Sequence, residues 1–186
     1  MKRLILLSSI LCSFAPTTLL AQMSYNAFDV SFVDVEIDAN RANVDGDGFE
    51  IGGSFELNDK FFLFGTWQEQ DLDFDIDGRE LELGAGLHHP LGETVDFVAT
   101  LSYIDAEVDA GASDDGLALG GGIRARLAES FEVDASLKLV DFDDSGSDTG
   151  FSFGGRWYFD DNMAITGGVD FFDNADVLHI GFRAEF

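Results

Sequence analysis

FEVDASLKL, residues 131–139, sets Phe131, Val133, Ala135, Leu137 and Leu139 on one side of an extended chain and Glu132, Asp134, Ser136 and Lys138 on the other. A period of two is the signature of a β-strand, whose successive side chains point to opposite faces. The two faces here demand different surroundings, one greasy and one charged.

The same alternation recurs along the chain. Phe49, Ile51, Phe55 and Leu57 alternate with Glu50, Gly52, Ser54 and Glu56, and Leu81, Leu83, Ala85 and Leu87 with Glu80, Glu82, Gly84 and Gly86. Val95 to Tyr103, Leu117 to Leu127 and Phe151 to Phe159 repeat it. Short connections fall at Asn58 to Lys60, His88 to Glu93, Ala128 to Ser130 and Asp160 to Asn162. Long acidic ones fall around residues 36–47, 70–77, 105–115, 141–149 and 173–176. This predicts ten antiparallel strands with both termini on the short-turn side. A soluble β-sandwich would alternate too. Against it stand charges of both signs on the polar face and aromatics near strand ends at Tyr103, Phe131, Trp157 and Phe159, the arrangement of a membrane girdle. Strands whose greasy face meets lipid must close into a barrel, because an unpaired backbone edge is not tolerated there.

Composition narrows the class. The 186 residues carry 36 acids against 10 bases, a formal charge of −26, so a nucleic-acid partner is excluded on electrostatic grounds. With 46% hydrophobic residues and 19 Phe the chain is not a disordered polyanion. Residues 1–21, MKRLILLSSILCSFAPTTLLA, open on Lys2 and Arg3, run through an apolar stretch and end on Ala21. They read as a secretory signal peptide, leaving a barrel domain over residues 22–186. Cys12, the one cysteine, leaves with the leader, so no disulfide holds the mature fold.

The last strand is the most specific feature. VLHIGFRAEF puts Leu178, Ile180, Phe182 and Phe186 on one face and ends on an aromatic, resembling the terminal signal that the barrel-assembly machinery of the outer membrane reads. With SYN from Ser24, FGTWQEQDLDFDID from Phe64 and GAGLHHPL from Gly84, the chain resembles the small outer-membrane β-barrels of Gram-negative bacteria, the OmpA/OmpX-like superfamily. More narrowly it resembles the short xanthomonad-type outer-membrane barrels. The resemblance implies a monomer in the bacterial outer membrane, in contact with lipid and lipopolysaccharide. It also implies eight strands more often than ten.

Inward charges come from different strands: Glu50, Glu80, Glu82, Asp96, Glu132, Asp134 and Asp170 against Arg124, Arg126, Lys138, Arg156 and Arg183. In a narrow bore these must pair. A charged lumen under acidic extracellular loops points to a structural or surface-interaction role. The alternative is a narrow porin-like channel for small solutes or cations, its bore cleared by inward glycines. No enzyme is expected: His179, near Asp173 and Asp176, lacks a serine at a fixed spacing. DLDFDIDG, residues 71–78, offers Asp71, Asp73, Asp75 and Asp77. An EF-hand loop counted from Asp73 would need an acid where Gly84 stands. The stretch reads instead as an acidic hairpin top with a bulge at the rim and, at most, low-affinity calcium; no other cofactor is implied.

Overall fold

The structure, a computed structural model, describes residues 23–39, 42–73, 76–108 and 111–186. The signal peptide expected over residues 1–21 lies outside them, as does Asp75. Ten strands follow in chain order: β1 (Ala27–Ala39), β2 (Ala42–Asn58), β3 (Phe61–Leu72), β4 (Ile76–Pro90), β5 (Val95–Val108), β6 (Ala112–Ala128), β7 (Phe131–Phe142), β8 (Gly146–Asp160), β9 (Met163–Phe171) and β10 (Ala175–Glu185). Each pairs antiparallel with the next, and β10 returns to β1, from Ala27 opposite Glu185 to Ile37 opposite Ala175, closing the barrel. The count is ten, as the alternation demands, and not the eight usual in the resembled superfamily.

One face of the barrel is a continuous apolar belt. Phe28, Phe32, Phe49, Leu63, Leu83, Leu101, Tyr103, Leu119, Leu139, Phe153, Trp157, Ile180 and Phe182 all stand exposed on the outside. A patch encircling the whole molecule is far larger than a water-soluble monomer leaves bare. Such a surface requires lipid as its solvent, and the closed hydrogen-bond ladder is what lipid imposes on the backbone.

Above the belt the alternation keeps its phase while the chemistry of its faces changes places. On β1, Phe32 points outward, and so do Asp34 and Glu36 beyond it, whereas Val33 and Val35 point inward and are buried. On β5, outward Tyr103 gives way to Asp105 and Glu107, and inward Ser102 to Ile104. On β7, outward Leu139 gives way to Asp141, and inward Lys138 to Val140. Ile104, Ala118 and Val140 form a buried cluster with Phe142 packed on it. The barrel thus projects past the belt as a collar with an apolar interior and an acidic exterior.

Two sequence expectations are corrected here. The long acidic connections are not loops: residues 105–108, 112–115 and 141–142 are strand, and β7 joins β8 through residues 143–145. Acidic residues in these segments alternate with apolar ones that have an interior to fill, so the ladder continues to the hairpin tip. Nor is there a bulge at the rim of β3 and β4. Their register runs unbroken from Phe61 opposite Leu87 to Leu72 opposite Ile76. Leu72 and Ile76 are out of step with outward Leu63 and Trp67 because they fill the collar's interior. The described register shifts lie at the short-turn end, near Asn58, Ala128 and Asp160.

Candidate functional site: the lumen and its two ends

The inward residues of the belt region enclose a cavity of about 450 Å³. Its wall is thinned by glycine at Gly52, Gly120, Gly122, Gly154 and Gly168, and its polar lining includes Asp29, Glu50, Glu82, Arg124, Asp134, Lys138, Arg156, Asp170, His179 and Arg183.

Of the charges the sequence assigned to the inner face, Glu50, Glu82, Arg124, Asp134, Lys138, Arg156, Asp170 and Arg183 line this cavity, whereas Glu80, Asp96, Arg126 and Glu132 are not part of its lining; most are paired between strands. Lys138 Nζ of β7 reaches Glu82 Oε2 of β4 at 2.7 Å, while Ser102 Oγ donates to Glu82 Oε1 at 2.5 Å. Arg156 Nη1 is 2.6 Å from Asp134 Oδ1. Arg183 donates from Nε and Nη2 to both carboxylate oxygens of Asp29, each at 2.9 Å, a fork geometry that fixes both planes. Asp170 Oδ2 sits 2.6 Å from His179 Nε2. That pairing corrects the expected neighbours of His179, since period two carries Asp170 inward and leaves Asp173 and Asp176 on the exposed collar. Glu50 and Glu80, opposite Gln68 on the intervening strand, have no ion pair among the described residues.

The short-turn end is closed by a denser network. Glu132 is fully buried and accepts from Arg124 Nε at 2.7 Å and from Arg126 Nε at 2.8 Å. Tyr158 Oη donates to Glu185 Oε1 at 2.7 Å beside them. Into this mouth folds the segment before β1. Met23 and Tyr25 are buried with Phe62, and Phe64 and Val98 pack on the cluster. Arg124 Nη1 donates to the Ser24 carbonyl at 2.6 Å, and Tyr25 Oη to Asp96 Oδ2 at 3.0 Å. Tyr25 also stacks on His88, with ring centroids 4.1 Å apart.

Asp29, Tyr25, Glu185 and His88 are members the sequence reading did not assign; Tyr158, and Glu56, whose N–H donates to Asn26 Oδ1 at 2.8 Å, lay on the polar faces it read but were not counted in the charge network. Most were within its reach. Asp29 shares the inner parity of β1, and His88 follows Glu80, Glu82, Gly84 and Gly86 by one more step. The expected turn at His88 to Glu93 is corrected accordingly: β4 runs to Pro90, and His88 is a buried lumen residue. That the segment before β1 turns back into the mouth has no signature in period two.

At the other end, Asp34 of β1, Asp47 of β2, Asp71 of β3 and Asp77 of β4 stand directly opposite one another across four strands, all exposed on the outer face. Asp73 is also exposed, and its backbone N–H donates to the Asp45 carbonyl at 2.9 Å. Among the described residues no three His, Cys, Asp or Glu side chains converge as metal ligands. Carboxylates in such a row are spaced by the strand separation, about 4.8 Å.

The terminal residues Leu178, Ile180, Phe182 and Phe186 all lie on the belt face, β10 being the strand that closes on β1.

A comparison with protein-family models and with curated proteins finds no match. Solved structures do match in fold. The chain is similar to an outer-membrane channel from Pseudomonas putida F1, with 10% identity over 93% of this chain and 100% of that one and a TM-score of 0.52. It is similar to the translocator domain of the autotransporter NalP from Neisseria meningitidis, with 9% identity over 90% and 91% of the two chains and a TM-score of 0.52. The fold is that of the bacterial outer-membrane β-barrels.

Proposed function

We propose that this protein is a monomeric, non-catalytic barrel of the bacterial outer membrane, placed there after removal of the leader and working at the cell surface through its acidic collar. The narrower likeness to xanthomonad-type barrels, carried by the motifs quoted above, belongs to the same reading. So does recognition of Leu178, Ile180, Phe182 and Phe186 by the barrel-assembly machinery.

The observation that carries the surface role is the row Asp34, Asp47, Asp71 and Asp77 immediately above the belt. Like charges directly opposite on neighbouring strands repel. Divalent cations relieve that repulsion, and lipopolysaccharide, the partner this reading assigns to the collar, carries phosphates that can share them. The collar therefore takes up calcium or magnesium loosely and shares it with those phosphates. A conducting role is disfavoured by the buried Val33, Val35, Ile104 and Val140 at one end and by the occupied mouth at the other.

Refolded protein tested in planar bilayers and for binding to lipopolysaccharide vesicles, with calcium and with chelator, checks the reading. Silent bilayers with calcium-dependent vesicle binding are expected. Steady single channels, with vesicle binding indifferent to calcium, would overturn it. They would favour a narrow cation-preferring conduit, for which Glu50 and Glu80, inward and without an ion pair among the described residues, are the specific observation.

A further inference from the structure

We propose that the segment Met23–Asn26 is a stopper for the central cavity, seated in the short-turn mouth against Phe62, His88 and Arg124. This goes beyond the surface role and stands whether or not the collar binds lipopolysaccharide.

The seat is built from four directions. Met23 and Tyr25 are buried to 5% and 6% exposure although they precede the first strand, and Tyr25 stacks on Phe62 of β3 at 4.9 Å as well as on His88 of β4. Arg124 of β6 also lies over the Tyr25 ring, 5.1 Å from its centroid, and holds the Ser24 carbonyl. Asn26 is tied to β2 twice: its side-chain amide donates to Glu56 Oε2 at 3.2 Å, and its side-chain oxygen accepts from the Glu56 N–H at 2.8 Å. Ser24 and Tyr25 form part of the cavity lining, so lifting the segment would join the cavity to the solution at that mouth.

His88 is the anomaly in this seat. Its side chain is fully buried, and neither ring nitrogen makes a hydrogen bond. Yet carboxylates flank both edges, Glu56 Oε1 3.3 Å from Nε2 and Asp96 Oδ2 3.6 Å from Nδ1. These are the two carboxylates that hold the segment, Glu56 through Asn26 and Asp96 through the Tyr25 hydroxyl. The His88 ring therefore fills the floor of the seat between the two anchors, with the Tyr25 ring stacked on it.

The test uses a single cysteine at the cavity-lining Ser136, in a background lacking Cys12, and a small neutral methanethiosulfonate reagent. Rates are divided by those of a control cysteine at the exposed Ser147, which removes differences in the reagent. We expect Tyr25→Ala to raise the labelling rate of Ser136→Cys roughly fivefold over that of the protein with Tyr25 in place. Should Tyr25→Ala fail to refold, Tyr25→Phe, which keeps the ring and loses the bond to Asp96, carries the same comparison by labelling faster than the parent. Equal labelling in the parent and the Tyr25 variant overturns the stopper.

Discussion

The two ends of this barrel are closed by opposite means. At the short-turn mouth, charges are drawn inward and matched: Glu132 between Arg124 and Arg126, Asp96 under Tyr25. At the collar, charges are turned outward onto an exposed face, where Arg79 meets Glu107 at 2.6 Å, while Val33, Ile104 and Val140 fill the interior. One closure depends on each partner being present, because a buried ion without its counter-ion is uncompensated. The other depends on volume, and loses stability in proportion to the space a mutation opens. The same ten strands, with one unbroken alternation, use a polar interior where the outside is lipid and an apolar interior where the outside is water.

The sharpest way to break the comparison is at Glu132. Glu132→Ala leaves Arg124 and Arg126 facing each other in a buried site and should cost about 3–5 kcal/mol in urea unfolding from detergent or vesicles. A loss no larger than that of an exposed substitution would mean water reaches the mouth freely. At the collar, Ile104→Ala should cost about 2–4 kcal/mol, the range for removing buried aliphatic volume from a packed site. Indifference there would show that the collar's interior is open to solvent. Next comes Gly116, where β6 and β7 lie so close that an added Cβ would strike the Asp141 carbonyl oxygen and the Phe142 Cα, neither of which can rotate away. Gly116→Ala should destabilise by about 1–3 kcal/mol. Gly121→Ala, with nothing within 4 Å of the added carbon, is the control and should be near neutral.

Strand number, closure and the inner face of every belt strand could be read from the sequence, because period two is local and each face keeps its chemistry over the belt. The collar could not be read the same way. DLDF and DAEV carry the same alternation as ELEL, but nothing local says that the outer solvent has changed from lipid to water, so outward acids looked like loops and inward Leu72 looked out of phase. His88 was lost for a different reason: it fell at the start of the short connection expected over His88 to Glu93, although the parity that placed Glu80 and Glu82 inside places His88 there too. Pair identity was the least legible, because Lys138 meets Glu82 across two intervening strands through the curvature of the bore.

The smallest expected effect probes the collar's exterior. Asp47 stands between Asp34 and Asp71 in the cross-strand row, so each neighbour raises the cost of its charge. At low salt and without divalent ions, Asp47→Asn removes one charge from that row and should raise the urea midpoint slightly, by less than any of the preceding changes lowers it. Millimolar calcium stabilises the parent by screening the same repulsion, so the advantage of the variant should shrink as calcium is added. High monovalent salt should shrink it as well, since these carboxylates are exposed and the Debye length falls to about 3 Å at 1 M. A variant whose advantage persists at every salt and calcium level would trace the effect to local β-propensity. The acidic exterior would then be a solvated surface, and the calcium bridge to lipopolysaccharide would lose its physical basis.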